Sequence, residues 1–159
     1  MVVLNCPVNT TAASCQTQAA INTQFATWLA TASASGGCNG VLTNNNTGAP
    51  LACGGSTTVT FTYTSSCAPV TTTCQATFTV TADNIPPVVT TGTIGSCYAS
   101  VAAAEAAALA ATSATDNCAG VLVESASTVG TCSAVITVTT TDACGNSTPV
   151  TYNTRIDNT

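Results

Sequence analysis

The chain of 159 residues carries ten Cys, one Arg, six acidic residues and neither Lys nor His, for a net charge of −5. Charged residues make up 4% of it, against about 25% in an ordinary globular domain. One cation cannot neutralise a phosphate backbone, which excludes nucleic-acid binding, and a Ser or Cys nucleophile has no His or Lys to serve as its base, so no enzymatic activity and no cofactor are expected.

The cysteines set the compartment. Ten of them in a short chain without Lys argue for five disulfides and an oxidising, extracellular location. The closest two are Cys67 and Cys74, so the short spacings of a metal-binding cluster are missing and no metal site is expected. No apolar run approaches the ~20 residues of a membrane-spanning helix. Met1-Val2-Val3-Leu4-Asn5 lacks the basic start and apolar stretch of a signal peptide, so an export signal is expected outside this piece.

In chain order, Asn5-Cys6-Pro7 comes first, and Cys15 and Cys38 then bracket a helical pattern. Ile21, Phe25, Trp28 and Leu29 stand at i, i+4, i+7 and i+8, the stripe of an amphipathic helix. That spacing makes Trp28 a plug facing the core rather than a platform for a ligand. A strand is expected between Cys38 and Cys53, and strict alternation marks further strands in Thr58-Val59-Thr60-Phe61-Thr62-Tyr63 and Thr77-Phe78-Thr79-Val80-Thr81. Thr suits their exposed face, since its branched side chain favours strands and its hydroxyl meets water. Asp83-Asn84-Ile85-Pro86-Pro87 then reads as a short, stiff linker.

Beyond the linker the pattern repeats. Val88-Val89 answers Val2-Val3, and the Ala-rich stretch 101–111 answers the first helix. Cys118-Ala119-Gly120-Val121-Leu122 answers Cys38-Asn39-Gly40-Val41-Leu42, and Val135-Ile136-Thr137-Val138-Thr139 answers the first alternating strand. Cys97, Cys118, Cys132 and Cys144 recur in the order of Cys15, Cys38, Cys53 and Cys67. Both copies close on an Asp-Asn pair, Asp83-Asn84 and Asp157-Asn158. The reading is therefore mainly β: two tandem immunoglobulin-like β-sandwich modules, 1–84 with six Cys and 85–159 with four, each with a short helical insertion and stapled by disulfides. The chain looks cut in phase from a longer tandem array.

Thr115-Asp116-Asn117-Cys118 and Thr141-Asp142-Ala143-Cys144-Gly145-Asn146-Ser147 resemble the signature of hyalin-repeat (HYR-like) modules. Such modules are strung in tandem in giant bacterial surface adhesins, including gliding-motility adhesins exported by the type IX route. Asn5-Cys6-Pro7 and Cys74-Gln75-Ala76-Thr77-Phe78 resemble the opening and closing cysteine strands of that family. Copy one departs from it, with Gly36-Gly37-Cys38 and Ser65-Ser66-Cys67-Ala68 where copy two has its Asp residues. The resemblance implies an extracellular immunoglobulin-like spacer or adhesive unit at the cell surface, without enzymatic activity.

The expected function is a structural repeat unit of a long extracellular adhesin or filament. Its partners would be neighbouring repeats of the same chain or fibre, with surface glycans or abiotic surfaces as adhesive targets and no membrane insertion. Two alternatives stand beside it. A carbohydrate-binding module would draw on Tyr63, Tyr98 and Tyr152, and a small filament subunit would assemble non-covalently. Asp116 and Asp142 together suggest calcium, but calcium takes 6–8 oxygen ligands, and side-chain bonds to turn backbone are the expected role. Asp83 and Asp157 are read the same way, as turn residues rather than ion bridges. Asn9, Asn45 and Asn146 begin N-glycosylation patterns that a Thr-rich chain produces by chance.

Strand reach selects a disulfide pattern. The segments from Cys53 to Cys67 and from Cys132 to Cys144 each hold one strand, whose extended length of ~40 Å exceeds the ~7 Å between bridged Cα atoms. The segments Cys38–Cys53 and Cys118–Cys132 hold a strand running the other way. The expected pairs are therefore Cys15–Cys53, Cys38–Cys67, Cys97–Cys132 and Cys118–Cys144, with Cys6–Cys74 joining the first and last strands of copy one. A tight hairpin at Gly54-Gly55 would restore the rejected pairs.

Overall fold

Alternation of large apolar and Thr side chains builds the centre of the first unit, Met1–Asp83. In the computed structural model, which describes residues 1–157, its elements are β1 (Val3–Asn5), β2 (Thr10–Ala12), α1 (Gln18–Leu29), β3 (Ser33–Ser35), β4 (Val41–Asn44), β5 (Gly55–Thr64) and β6 (Thr71–Val80). The β5–β6 hairpin is in register from Gly55↔Val80 to Thr64↔Thr71. β4 adds to β5 antiparallel and β2 adds to β6 parallel, giving a mixed sheet of order β2-β6-β5-β4. β1 and β3 form a separate antiparallel pair.

One face of β5 and β6 presents Val59, Phe61, Ala76, Phe78 and Val80 to Ile21, Phe25 and Trp28 of α1. Each buried Val, Ile or Phe among them contributes about 1.5–3 kcal/mol. The aromatic rings interlock: Phe25 stacks on Trp28 with centroids 5.5 Å apart, and Phe78 meets both edge-on at 5.5 and 5.6 Å. Trp28 is 5% exposed, and its indole N–H donates to the Val8 carbonyl at 2.7 Å. It is a core residue. The helix starts where the Thr17 hydroxyl accepts the Ala20 N–H, satisfying one of the donors a helix N-terminus leaves open.

The second unit, from Asn84 onward, repeats this plan. Its elements are β7 (Val88–Thr91), β8 (Cys97–Tyr98), α2 (Val101–Ala110), β9 (Thr112–Thr115), β10 (Val123–Val129), β11 (Ala134–Thr141) and β12 (Ser147–Ile156). The mixed sheet runs β10-β11-β12-β8, again with the short strand parallel to the last one, and β7 pairs with β9. Ser100 caps α2 as Thr17 caps α1. The core is leaner: Ala104 and Ala108 of α2 meet Ile136, Val138, Tyr152 and Ile156. Mainly β, with two similar halves each holding one short helix and mixed sheets, describes the chain. Neither helix is long and apolar enough to cross a membrane. Asn158 and Thr159, where the second repeat closes and a further linker is expected, lie outside the described residues.

The disulfides depart from expectation at one place. Cys6–Cys74 and Cys38–Cys67 are bridged, with Cα atoms 6.1 and 5.2 Å apart. Cys15 and Cys53 are also disulfide-bonded, as are Cys118 and Cys144. Cys97 and Cys132 are free and exposed, which corrects the expected fifth bridge. The ladder gives the reason. Cys97 sits inside β8, paired with Arg155 of β12, whereas Thr131, next to Cys132, accepts the Ile156 N–H from the other side of β12. Two strand spacings amount to about 9.6 Å, beyond a disulfide's reach. In the first unit Cys15 lies three residues past β2, with φ of +64°, outside any ladder.

Candidate functional site

The residues that carry the sequence signature lie around the bonded cysteines of the second unit, and they build turns. Asp116 follows β9, and its Oδ2 accepts the Cys118 N–H at 3.0 Å. Asp142 closes β11, and its Oδ1 accepts the N–H groups of Cys144 and Asn146, both at 2.8 Å. Its Oδ2 takes the Asn146 side-chain amide at 2.8 Å. Burial pushes the Asp142 carboxyl up, but the Asn146 amide and the backbone N–H groups of Asn146, Cys144 and Gly145 together outweigh it. The carboxyl is held below its ordinary value of 3.8.

Copy one reaches the same geometry without a charge. Ser65, at the position of Asp142, is buried, and its Oγ accepts the N–H groups of Cys67 at 3.1 Å and Cys38 at 2.9 Å. One hydroxyl thus serves both cysteine amides that Asp116 and Asp142 serve separately in copy two. Both copies place an acceptor here, and only copy two makes it a carboxylate.

The tyrosines are each engaged in their own unit. Tyr63 is buried, and its hydroxyl donates to the Gly36 carbonyl at 2.7 Å. Gly36, with φ of +81°, leaves no room for a Cβ beside the Met1 carbonyl. Tyr152 is buried, with its hydroxyl 2.8 Å from that of Thr112. Tyr98 is half-buried and its hydroxyl accepts the Gly95 N–H at 2.6 Å. Tyr63 and Tyr152, being buried, offer no open ring face of the kind a sugar stacks on.

The asparagines of the three glycosylation patterns are also tied down. Asn9 Oδ1 accepts the Thr77 N–H at 2.9 Å, Asn45 Oδ1 accepts the Thr60 N–H at 2.7 Å, and Asn146 is held by Asp142. Asp83 is buried, and Asp157 forms an ion pair with Arg155 at 3.3 Å.

A surface groove of about 380 Å³ escapes sequence reasoning. Val8, Thr10, Thr23, Gln24, Thr27 and Thr31 line it over a floor of Trp28 and Phe78. Its polar rim carries no charge. The signal for it lies in Thr23 and Thr27 on one side of α1 and Thr31 just past its end, spaced by four, but such spacing also describes any solvated helix face. No protein-family model matches the chain, and no curated protein matches it.

Proposed function

We propose that the chain is a structural repeat unit of a long extracellular cell-surface adhesin or filament, built from hyalin-repeat-like, immunoglobulin-like modules. The observation that carries this reading is the strand-for-strand repetition of one disulfide-stapled plan in both units. Four disulfides belong to an oxidising environment. The signature residues support the resemblance in a structural role, since Asp116 and Asp142 order the backbone around the bonded Cys118 and Cys144. The module's work in this reading is mechanical. Bridges and cores keep each unit from extending under load, and Pro86-Pro87 joins the units through residues with fixed φ. Labelling intact cells of the source with antibody to this chain tests the reading: electron microscopy shows label along surface fibres, and label confined to the cell interior contradicts it.

The uncharged groove over Trp28 favours a second reading, a module that binds neutral carbohydrate in its first unit. Its rim hydroxyls and the Gln24 amide suit sugar hydroxyls, and with Trp28 and Phe78 buried beneath, the exposed Val8 side chain supplies the apolar contact. A glycan array tests it, with binding lost in Gln24→Ala and Thr27→Ala. An array without binding leaves the groove as a packing feature and rejects this reading.

A further inference from the structure

We propose that the second unit associates with a second copy of the chain by antiparallel pairing of the two β10 edges, centred on Ala126. β10 is an outer strand of its sheet: β11 pairs with one side, and no described strand covers the other. Seven consecutive residues run in unbroken register from Val123↔Thr141 to Val129↔Val135, so there is no bulge to twist the edge away. The strand holds no Pro, no Lys and a single charge, Glu124. Exposed edges are normally blunted by such devices, and an edge without them is a template for another strand. The corresponding edge of the first unit, β4, has only four residues.

The sequence of β10 says which strand it takes. Val123-Glu124-Ser125-Ala126-Ser127-Thr128-Val129 reads nearly the same in both directions. Two copies paired antiparallel about Ala126 set Val123 opposite Val129, Ser125 opposite Ser127 and Glu124 opposite Thr128. Like residues meet except at the charge, where Glu124 faces a hydroxyl instead of a second carboxylate. Alternation sorts the faces. Ala126 packs against the core and Thr128 donates to Glu105 of α2 at 2.9 Å, so the even positions point inward.

Val123, Ser125, Ser127 and Val129 occupy the outer face, where the two valines are 61% and 76% exposed. Pairing gives each valine a cross-strand partner, the contact that stabilises sheets. The neighbouring outer positions on β11 are Val135, Thr137 and Thr139, all uncharged. The two four-stranded sheets therefore join into one of eight strands whose outer face brings no like charges together, and on the inner face each Glu124 comes up beside the Thr128 whose hydroxyl already donates to Glu105. This inference stands on β10 alone and does not depend on the fibre reading.

Sedimentation velocity of the full chain, with Cys97 and Cys132 alkylated to block thiol cross-linking, tests it. The expected result is a reversible, concentration-dependent dimer. S125K/S127K sets Lys opposite Lys twice on the solvent face and weakens the dimer at least tenfold. Mixing S125K/S127K with S125E/S127E restores association to within a few-fold of the parent. Amide hydrogen exchange of the unsubstituted chain, which needs no variant to fold, shows protection of Val123–Val129 rising as the dimer forms. A chain that stays monomeric up to its solubility limit overturns the proposal. So does a dimer indifferent to S125K/S127K, or one that leaves Val123–Val129 unprotected.

Discussion

Ser65 and Asp142 perform one task in the two copies: each accepts the backbone N–H of the cysteine two residues further on, Cys67 at 3.1 Å and Cys144 at 2.8 Å. The tasks coincide and the charges differ, so the two units respond differently to acid. The folded state holds the Asp142 carboxyl below its ordinary value of 3.8. A carboxyl so depressed adds stability that is present above the unfolded value and is lost as pH falls through the folded one. Ser65 does not titrate in this range.

The second unit therefore loses this contribution below about pH 4, and Asp142→Ser removes it. At neutral pH the variant is less stable by about 1–2 kcal/mol, the cost of giving up the bonds to Asn146. Melting curves of parent and variant converge as the buffer is taken from about pH 6 to about pH 2. A gap that stays constant over that range would mean that Asp142 does not titrate differently on folding.

Trp28 is the keystone of the first core. Trp28→Ala opens a cavity beneath α1 and lowers the stability of the first unit by about 3–5 kcal/mol. Trp28→Phe retains the ring packing but leaves the Val8 carbonyl without its donor, at a cost of about 1–3 kcal/mol. Calorimetry of the full chain reads both effects on the transition of the first unit. The transition of the second unit stays in place.

What was legible in the sequence followed its periods. Ile21, Phe25 and Trp28 announce α1 because three large apolar side chains recur on one helical face, and Thr58 to Tyr63 announce β5 because their alternation matches the pleat. The β1–β3 and β7–β9 pairs were not legible, since strands of three and four residues carry no period of their own and exist through long-range ladders. Cys97 misled for a related reason. The repeat matches it to Cys15, but only the structure shows that β8 holds Cys97 in register with Arg155 while Cys15 lies three residues beyond the end of β2. The Trp28 groove and the symmetry of β10 depend on what is left uncovered, which the order of residues does not record.

The bridges divide unequally, and melting order follows. Six bonded cysteines staple the first unit and two staple the second. A bridge closing 68 or 29 residues is worth about 4 kcal/mol on the chain-entropy estimate. The second unit, with its Ala-based core, melts first in calorimetry. Reduction by dithiothreitol lowers the transition of the first unit far more than that of the second unit, and the opposite ordering would refute the assignment of stability to the bridges.

Protease sensitivity is set by composition and then by fold. Trypsin has one basic residue to act on, Arg155, so the reduced and unfolded chain loses at most residues 156–159. Of the aromatic targets of chymotrypsin, Phe25, Trp28, Phe61, Tyr63, Phe78 and Tyr152 are buried, and Tyr98, half-buried, is held through its hydroxyl by the Gly95 N–H. Under native, non-reducing conditions the chain stays intact. Mass spectrometry after prolonged digestion checks this, and rapid cleavage at Phe61 or Phe78 would show that the first core opens readily.

The central claim is that these units are repeats of one long extracellular chain. The most direct measurement is the mass of the polypeptide carrying this sequence, taken from the native cell surface and run under denaturing, reducing conditions. The account predicts a chain many times larger than 15.6 kDa. A band at 15.6 kDa, released from fibres by denaturation alone, would contradict it and establish a small subunit assembled without covalent links.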